Sequence, residues 1–388
     1  MPENIAITGL GAISACGNNA EESLESFALG RRNAGKVTLF KTELPYSVFE
    51  VKNFLGKDTA AMRTLNLAFQ ALEEAIRDAN LEDLSEYRVG ICLGTTVASQ
   101  LNDMDFYKSY REKGSAPLDA AKRFLNSNLA QAVAGFLKIK TKFCFTVVNA
   151  CSSGTDAIGV GLSWLRNDYC DIVIAGGADE LNRVPFDGFV SLGVVSRSLC
   201  LPFDRERSGL NLGEGAGIVI LEKESSALRR GRKPDLFLKG YGSAADGYHL
   251  TAPHPEGRGL DKALKIALSE AGIKPSEVAF VNAHGTATKD NDRVEGRVLK
   301  KVFGPELKFL STKGFTGHTL GAAGGLEAVF SALALRQGWI PKSIGFSEED
   351  NEIGIAPVRQ KTEIKGSYAV STSLAFGGNN SALVISNN

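Results

Sequence analysis

The chain has 388 residues, with 44 Lys plus Arg balanced by 44 Asp plus Glu and an apolar content of 43%. The balance gives no electrostatic case for nucleic acid or an anionic membrane as partner. No run approaches the roughly 20 apolar residues of a spanning helix, and the start, MPENIAITGLG, lacks the basic and apolar regions of a signal peptide. The six cysteines (Cys16, Cys92, Cys144, Cys151, Cys170, Cys200) include no CxxC pair. That spacing suits neither a disulfide framework nor a zinc site, so a reducing cytoplasm and no bound metal are expected.

In chain order, a strand is expected over 4–8, a short helix over 20–29, and a helix over 59–79 with Leu65, Phe69, Leu72 and Ile76 at helical spacing. A strand at 88–93, a helix over 120–137 and a strand at 143–148 follow. The segment after Cys151 reads as helix, and 172–175 and 218–221 read as strands. The order then begins again: strand 236–239, helix 260–271, strand 278–283, helix 292–303, strand 309–311, and a helix from His318 to about 336. Strands at 369–373 and 382–385 close the chain. Such alternation predicts an α/β protein with buried sheets, and its recurrence predicts an internal duplication. The stretch LRRGRKP (228–234) marks the seam, dividing the chain into 1–232 and 233–388.

The stretch VVNACSSGTDAIG (147–159) places Cys151 where a strand stops and a helix starts. A cysteine there is either a small core filler or a nucleophile whose ionisation the helix N-terminus and nearby cations favour, bringing its pKa from about 8.5 toward 7 or below. Of the four histidines, His249 and His254 lie in a proline-containing loop, His284 ends the apolar run VAFVNA, and His318 begins the GAAGG helix. Strand ends in one half converge on one rim, so Cys151, His284, His318 and Lys313 are candidates to share a pocket. The glycine-rich GLGAIS stretch lacks the GxGxxG spacing of a dinucleotide site. The other cysteines read as core fillers.

These motifs resemble those of the β-ketoacyl-acyl-carrier-protein synthases, elongating condensing enzymes of the thiolase superfamily. NACSSG resembles their nucleophile site, NAHGTAT (282–288) their first histidine motif, and TKGFTGHTLGAAGG (312–325) their lysine and second-histidine motif. FDRERSGLNLGEGAG (203–217) and FGGNNSALV (376–384) resemble their glycine-rich signatures, and the likeness runs in the family's order along nearly the whole chain.

The resemblance implies a thiolase-like αβαβα five-layered sandwich of two duplicated halves. It implies acyl carrier protein as partner, and a homodimer or a heterodimer with a related subunit. No cofactor is implied. It casts Cys151 as the acyl-accepting nucleophile, and His284 and His318 as binders of the malonyl thioester oxygen during decarboxylation. Lys313 orders and polarises that site, while Thr286 and Thr288 contact the phosphopantetheine arm. Phe376 borders the acyl pocket, and its N–H forms an oxyanion hole with that of Cys151. Glu327 belongs to a buried polar network, the alternative being an ordinary surface acid. Arg205 and Arg207 are candidates for meeting a carrier protein, or for local ion pairs with Asp204 or Glu206.

A histidine at 318, where initiating relatives carry asparagine, favours elongation. The intact Cys151 disfavours a non-catalytic chain-length partner, and the paired histidines disfavour a degradative thiolase. The chain departs from the family in its short segments before Thr59 and over 186–202, in SGLNLGEG, and in the Ala375 that precedes Phe376. These leave ordinary fatty-acid elongation and a specialised chain, such as an aryl polyene or another polyketide-like product, both open.

Overall fold

The computed structural model describes residues 3–54, 62–81, 83–96, 104–125 and 128–388. Its strands are β1 (Ile5–Ser14), β2 (Val89–Gly94), β3 (Phe143–Val147), β4 (Ile172–Asp179), β5 (Gly215–Lys223), β6 (Phe237–Ala245), β7 (Val278–Asn282), β8 (Phe309–Leu310), β9 (Trp339–Ile340), β10 (Thr362–Glu363), β11 (Tyr368–Ala375) and β12 (Asn379–Ser386). Its helices are α1 (Ala20–Leu29), α2 (Arg63–Ala79), α3 (Met104–Lys113), α4 (Leu118–Leu125), α5 (Leu129–Leu137), α6 (Ser153–Arg166), α7 (Arg183–Ser191), α8 (Glu224–Arg229), α9 (Arg258–Ala271), α10 (Lys289–Phe303), α11 (Lys313–Thr316) and α12 (Ala323–Gln337).

The long sheet runs β3-β2-β4-β5-β1-β6-β12-β11-β7-β8. Its middle is thin: β1 and β6 pair only through Ile5–Leu238 and Ala6–Phe237. The strands on either side repeat one plan. In the first half, β1–β5 and β5–β4 are antiparallel, and β4–β2 and β2–β3 are parallel. In the second, β6–β12 and β12–β11 are antiparallel, and β11–β7 and β7–β8 are parallel. The duplication expected from element order is therefore present in the pairing itself.

Helices complete the layers. Leu65, Phe69 and Leu72 of α2 pack on Ile13, Ile91 and Ile218. Leu260 and Leu264 of α9 and Val298 of α10 pack on Val281, Val370 and Val384. Between the two halves of the long sheet lie α6 and α12, where Ile158, Leu162, Leu326 and Val329 join Val173, Leu221 and Leu383 in one core. Every residue of α12 from Ala323 to Leu335 is buried. A helix without a polar face belongs in such a central layer.

The first strand of each half carries the same device. A Cβ on Gly9 or Gly11 would lie 2.1 or 1.9 Å from the Ala75 or Ala71 carbonyl of α2. In the second half, Gly240 and Gly242 would meet the Ala267 and Ala263 carbonyls of α9 at 2.2 and 2.1 Å. Glycine is required because the helix backbone rides directly on the strand.

Some boundaries differ from expectation. The glycines of β1 and β6 read as strand ends, yet both strands run through them. The single helix expected over 120–137 is two, with Asn128 capping α5 through Gln131 N–H; residues 126–127, and the expected helix start at 59, lie outside the described residues. Among the described residues, no helix is long and apolar enough to cross a membrane.

Candidate active site

After β3 the chain makes a tight turn in which Ala150 has φ +48°, a left-handed conformation uncommon for a residue with a Cβ. Hydroxyls hold it. Ser153 Oγ donates to Ala150 O at 2.6 Å and accepts from Asn149 N–H at 2.8 Å, while Ser152 Oγ donates to Asp156 Oδ2 at 2.8 Å. The serines after the cysteine thus build the turn. They leave Cys151 only 4% exposed, just ahead of α6.

His318 comes from the second half, held by backbone bonds to the 211–213 segment: its N–H donates to Asn211 O at 2.8 Å, and its carbonyl accepts from Gly213 N–H at 3.0 Å. Leu320 N–H donates to His318 Nδ1 at 3.3 Å, which leaves the ring proton on Nε2. Nε2 is 3.0 Å from Cys151 Sγ.

His284 follows β7. Its N–H and that of Gly285 each donate to the Glu295 carboxylate at 2.8 Å. The Lys313 ammonium donates to His284 Nδ1 at 3.0 Å and also pairs with Glu327. His284 therefore also keeps its proton on Nε2. The two imidazoles are 5.2 Å apart and near-perpendicular, so one small site has two Nε2–H donors.

Burial, followed by the Lys313 charge, holds both histidines well below their ordinary titration range, so both are neutral. Burial pushes Glu327 up to about 7, against the pull of Lys313. Burial also pushes the Cys151 thiol up to about 12, opposed by Lys313 and by a hydrogen bond from Phe376 N–H. This reverses the expected lowering: the helix N-terminus is present, but enclosure disfavours the thiolate more than the nearby cation favours it.

Cys151, His284 and His318 line one cavity of about 500 Å³ with Phe376, Thr286 and Thr288, while Lys313 and Glu327 lie behind His284, joined to it by the Lys313 hydrogen bond. The two threonine hydroxyls are 2.8 Å apart. Cys151, His284, His318, Lys313, Phe376, Thr286, Thr288 and Glu327 are thus brought together, and Glu327 is buried rather than on the surface.

Arg207 is corrected. It is buried, bonding Asp350 at 2.5 Å and the carbonyls of Asp204 and Lys289, and so cannot meet a partner. Arg205 is exposed and pairs with Glu206 and Glu348.

The sequence reading missed several contributors. Phe189 of α7 stacks on Phe376 at 5.4 Å and meets the edge of His318 at 6.4 Å. Asp179 accepts from Thr95 Oγ1, Thr96 N–H and Gly321 N–H at 2.5, 2.7 and 2.7 Å, tying β4 to the turn before α12. An acid closing the apolar run IVIAGGAD was its available signal. Glu295 gave none, being one charge among many on α10.

The description "Beta-ketoacyl synthase, N-terminal domain" matches residues 2–227, and "Beta-ketoacyl synthase, C-terminal domain" matches 237–347. The chain belongs to the β-ketoacyl synthase family. It is similar to 3-oxoacyl-[acyl-carrier-protein] synthase 2 of Staphylococcus aureus strain N315, at 34% identity over 98% of each chain. The Synechocystis protein of that name is 33% identical over 98% of this chain and 97% of its own. Among solved structures, the ishigamide ketosynthase/chain length factor has a TM-score of 0.94 at 31% identity, covering both chains fully. A ketosynthase in complex with its chain length factor from Xenorhabdus doucetiae has 0.87 at 30%, covering 100% of this chain and 98% of that one. The fold is accordingly the five-layered thiolase-like sandwich.

Proposed function

We propose that this synthase elongates an acyl chain by decarboxylative Claisen condensation, joining an acyl group carried on Cys151 to malonyl-acyl-carrier protein. The carrying observation is the pairing of one buried thiol with two neutral imidazoles, each presenting Nε2–H, at the floor of a single cavity.

In the first step Cys151 sulfur attacks the carbonyl carbon of the acyl thioester. The tetrahedral oxygen is held by the N–H groups of Cys151 and Phe376, the carbon–sulfur bond to pantetheine breaks, and the proton leaves on the pantetheine thiol. In the second step the malonyl carbon–carbon bond breaks and carbon dioxide departs. The electron pair forms an enolate whose oxygen receives the His284 and His318 N–H groups. The enolate carbon then attacks the Cys151 acyl group and expels the sulfur as a thiolate, which takes up a proton from solvent. Lys313, backed by Glu327, fixes His284 with Nε2–H toward the enolate. Thr286 and Thr288 guide the pantetheine arm, and Phe376 on Phe189 borders the acyl pocket. The halves, taken as 1–232 and 233–388, divide the work: the first supplies the nucleophile, the second the histidines.

A second subunit fits the first half's edge. Strand β3 ends the sheet with Phe143 and Phe145 exposed at 38 and 57%, and Val148 just past its end is exposed at 59%; the outer backbone groups of such an edge strand are open to a partner. Likeness to two ketosynthase/chain length factor structures supports a related subunit as occupant and a polyketide-like chain as product. The intact Cys151, His284, Lys313 and His318 set makes this chain the catalytic member. The free cysteines suit a reducing cytoplasm.

The test is incubation with malonyl-carrier protein and a panel of acyl-carrier proteins, read by intact mass. An acyl adduct on Cys151, absent from Cys151→Ser, is expected. An adduct that survives Cys151→Ser or maps to Cys200 overturns the assignment.

A further inference from the structure

We propose that Asp156 is the positioning residue that sets the distance between the two oxyanion-hole donors, an inference that rests on the acyl-transfer reading above. Asp156 lies in the first turns of α6 and is 6% exposed. Its carboxylate accepts four hydrogen bonds from separate parts of the fold. On Oδ2 are Asn149 Nδ2 at 2.5 Å and Ser152 Oγ at 2.8 Å. On Oδ1 are Tyr241 OH at 2.8 Å and Ser381 Oγ.

The placement of these donors matters more than their number. Asn149 and Ser152 flank Cys151, whose N–H is one oxyanion donor. Ser381 stands on β12, in the hairpin with β11 whose connecting turn carries Phe376, the other donor. Tyr241 belongs to β6, which pairs with β12. One buried carboxylate therefore fastens the nucleophile turn of the first half to the Phe376 hairpin of the second. A carboxyl group has an acceptor oxygen on each side; an amide of the same shape would turn its NH₂ toward two donors. The groups assigned to decarboxylation are held by other residues. His284 is fixed by Glu295 and Lys313, and His318 by Asn211, Gly213 and Leu320.

The two half-reactions should therefore separate. Acyl transfer needs both oxyanion donors in register, and a misplacement on the order of 1 Å costs about 100-fold. Asp156→Asn is expected to slow Cys151 acylation about 10- to 100-fold. In a Cys151→Ala background it is expected to leave carbon dioxide release from malonyl-carrier protein within about twofold. Ser381→Ala, which removes only the link to the hairpin, is expected to slow acylation by a smaller factor. Combined with Asp156→Asn it should add nothing, because both act through one contact. Ser381→Ala and Asn149→Ala carry the test if Asp156→Asn does not fold. Acylation at the parental rate in the folded variants overturns the proposal, as does an equal fall in both half-reactions or a fully additive double variant. The parental enzyme checks the underlying reading separately: if it neither takes an acyl group nor releases carbon dioxide, that reading fails and this role with it.

Discussion

In the proposed mechanism Cys151 acts as a nucleophile from a pocket that opposes its ionisation. With the thiol pushed up to about 12 by burial, the protonated form dominates below that pH, and each unit of rising pH increases the thiolate about tenfold. Alkylation of the resting enzyme by iodoacetamide should therefore still climb between about pH 7 and about pH 10. A rate that levels off near pH 7 would show an activated thiolate at rest and contradict the burial argument. At this scale much was legible. Cys151, His284, Lys313 and His318 announce themselves because the chemistry fixes their types and each sits in a compact motif. Asp156 and Phe189 do not. The meaning of Asp156 depends on Tyr241 and Ser381, which stand 85 and 225 residues away, and Phe189 is one apolar residue among many until α7 folds over the pocket.

Helix packing at the centre sets the distance between the halves of the site. Where α6 and the approach to α12 meet, a Cβ on Gly154 would lie 2.7 Å from Gly325 N and 2.8 Å from Gly321 O. Both atoms are backbone, so neither can swing aside. Gly154→Ala should cost roughly 1–3 kcal/mol by overpacking, read in urea unfolding, and should slow condensation by moving Cys151 relative to His318. Gly188→Ala in α7 is the control: nothing lies within 4 Å of its Cβ position, so it should be neutral or stabilise by about 1 kcal/mol. Equal stability changes for the two would contradict the close-crossing account. Element type and order were readable from apolar periodicity, because it reports burial directly. Extents were not. Gly9, Gly11, Gly240 and Gly242 look like strand breakers until α2 and α9 are seen resting on them. Asn128 opens α5 inside a stretch whose composition reads as one continuous helix.

The whole molecule makes one site from two copies of a plan. In each copy a parallel strand delivers chemistry to the same rim: β3 leads to Cys151, β7 to His284, and β8 to Lys313 and then His318. Neither half holds all four of these residues, so the proposed reaction depends on the α6–α12 layer keeping them together. In the proposed mechanism thiol and imidazoles do separate work, and carbon dioxide release from malonyl-carrier protein distinguishes them. With variants matched for thermal stability, Cys151→Ala should abolish condensation yet still release carbon dioxide, because the enolate oxygen keeps both Nε2–H donors. His284→Ala or His318→Ala should suppress that release about 100- to 1,000-fold, the effect of removing one preorganised donor. Decarboxylation at the parental rate by both histidine variants would contradict it.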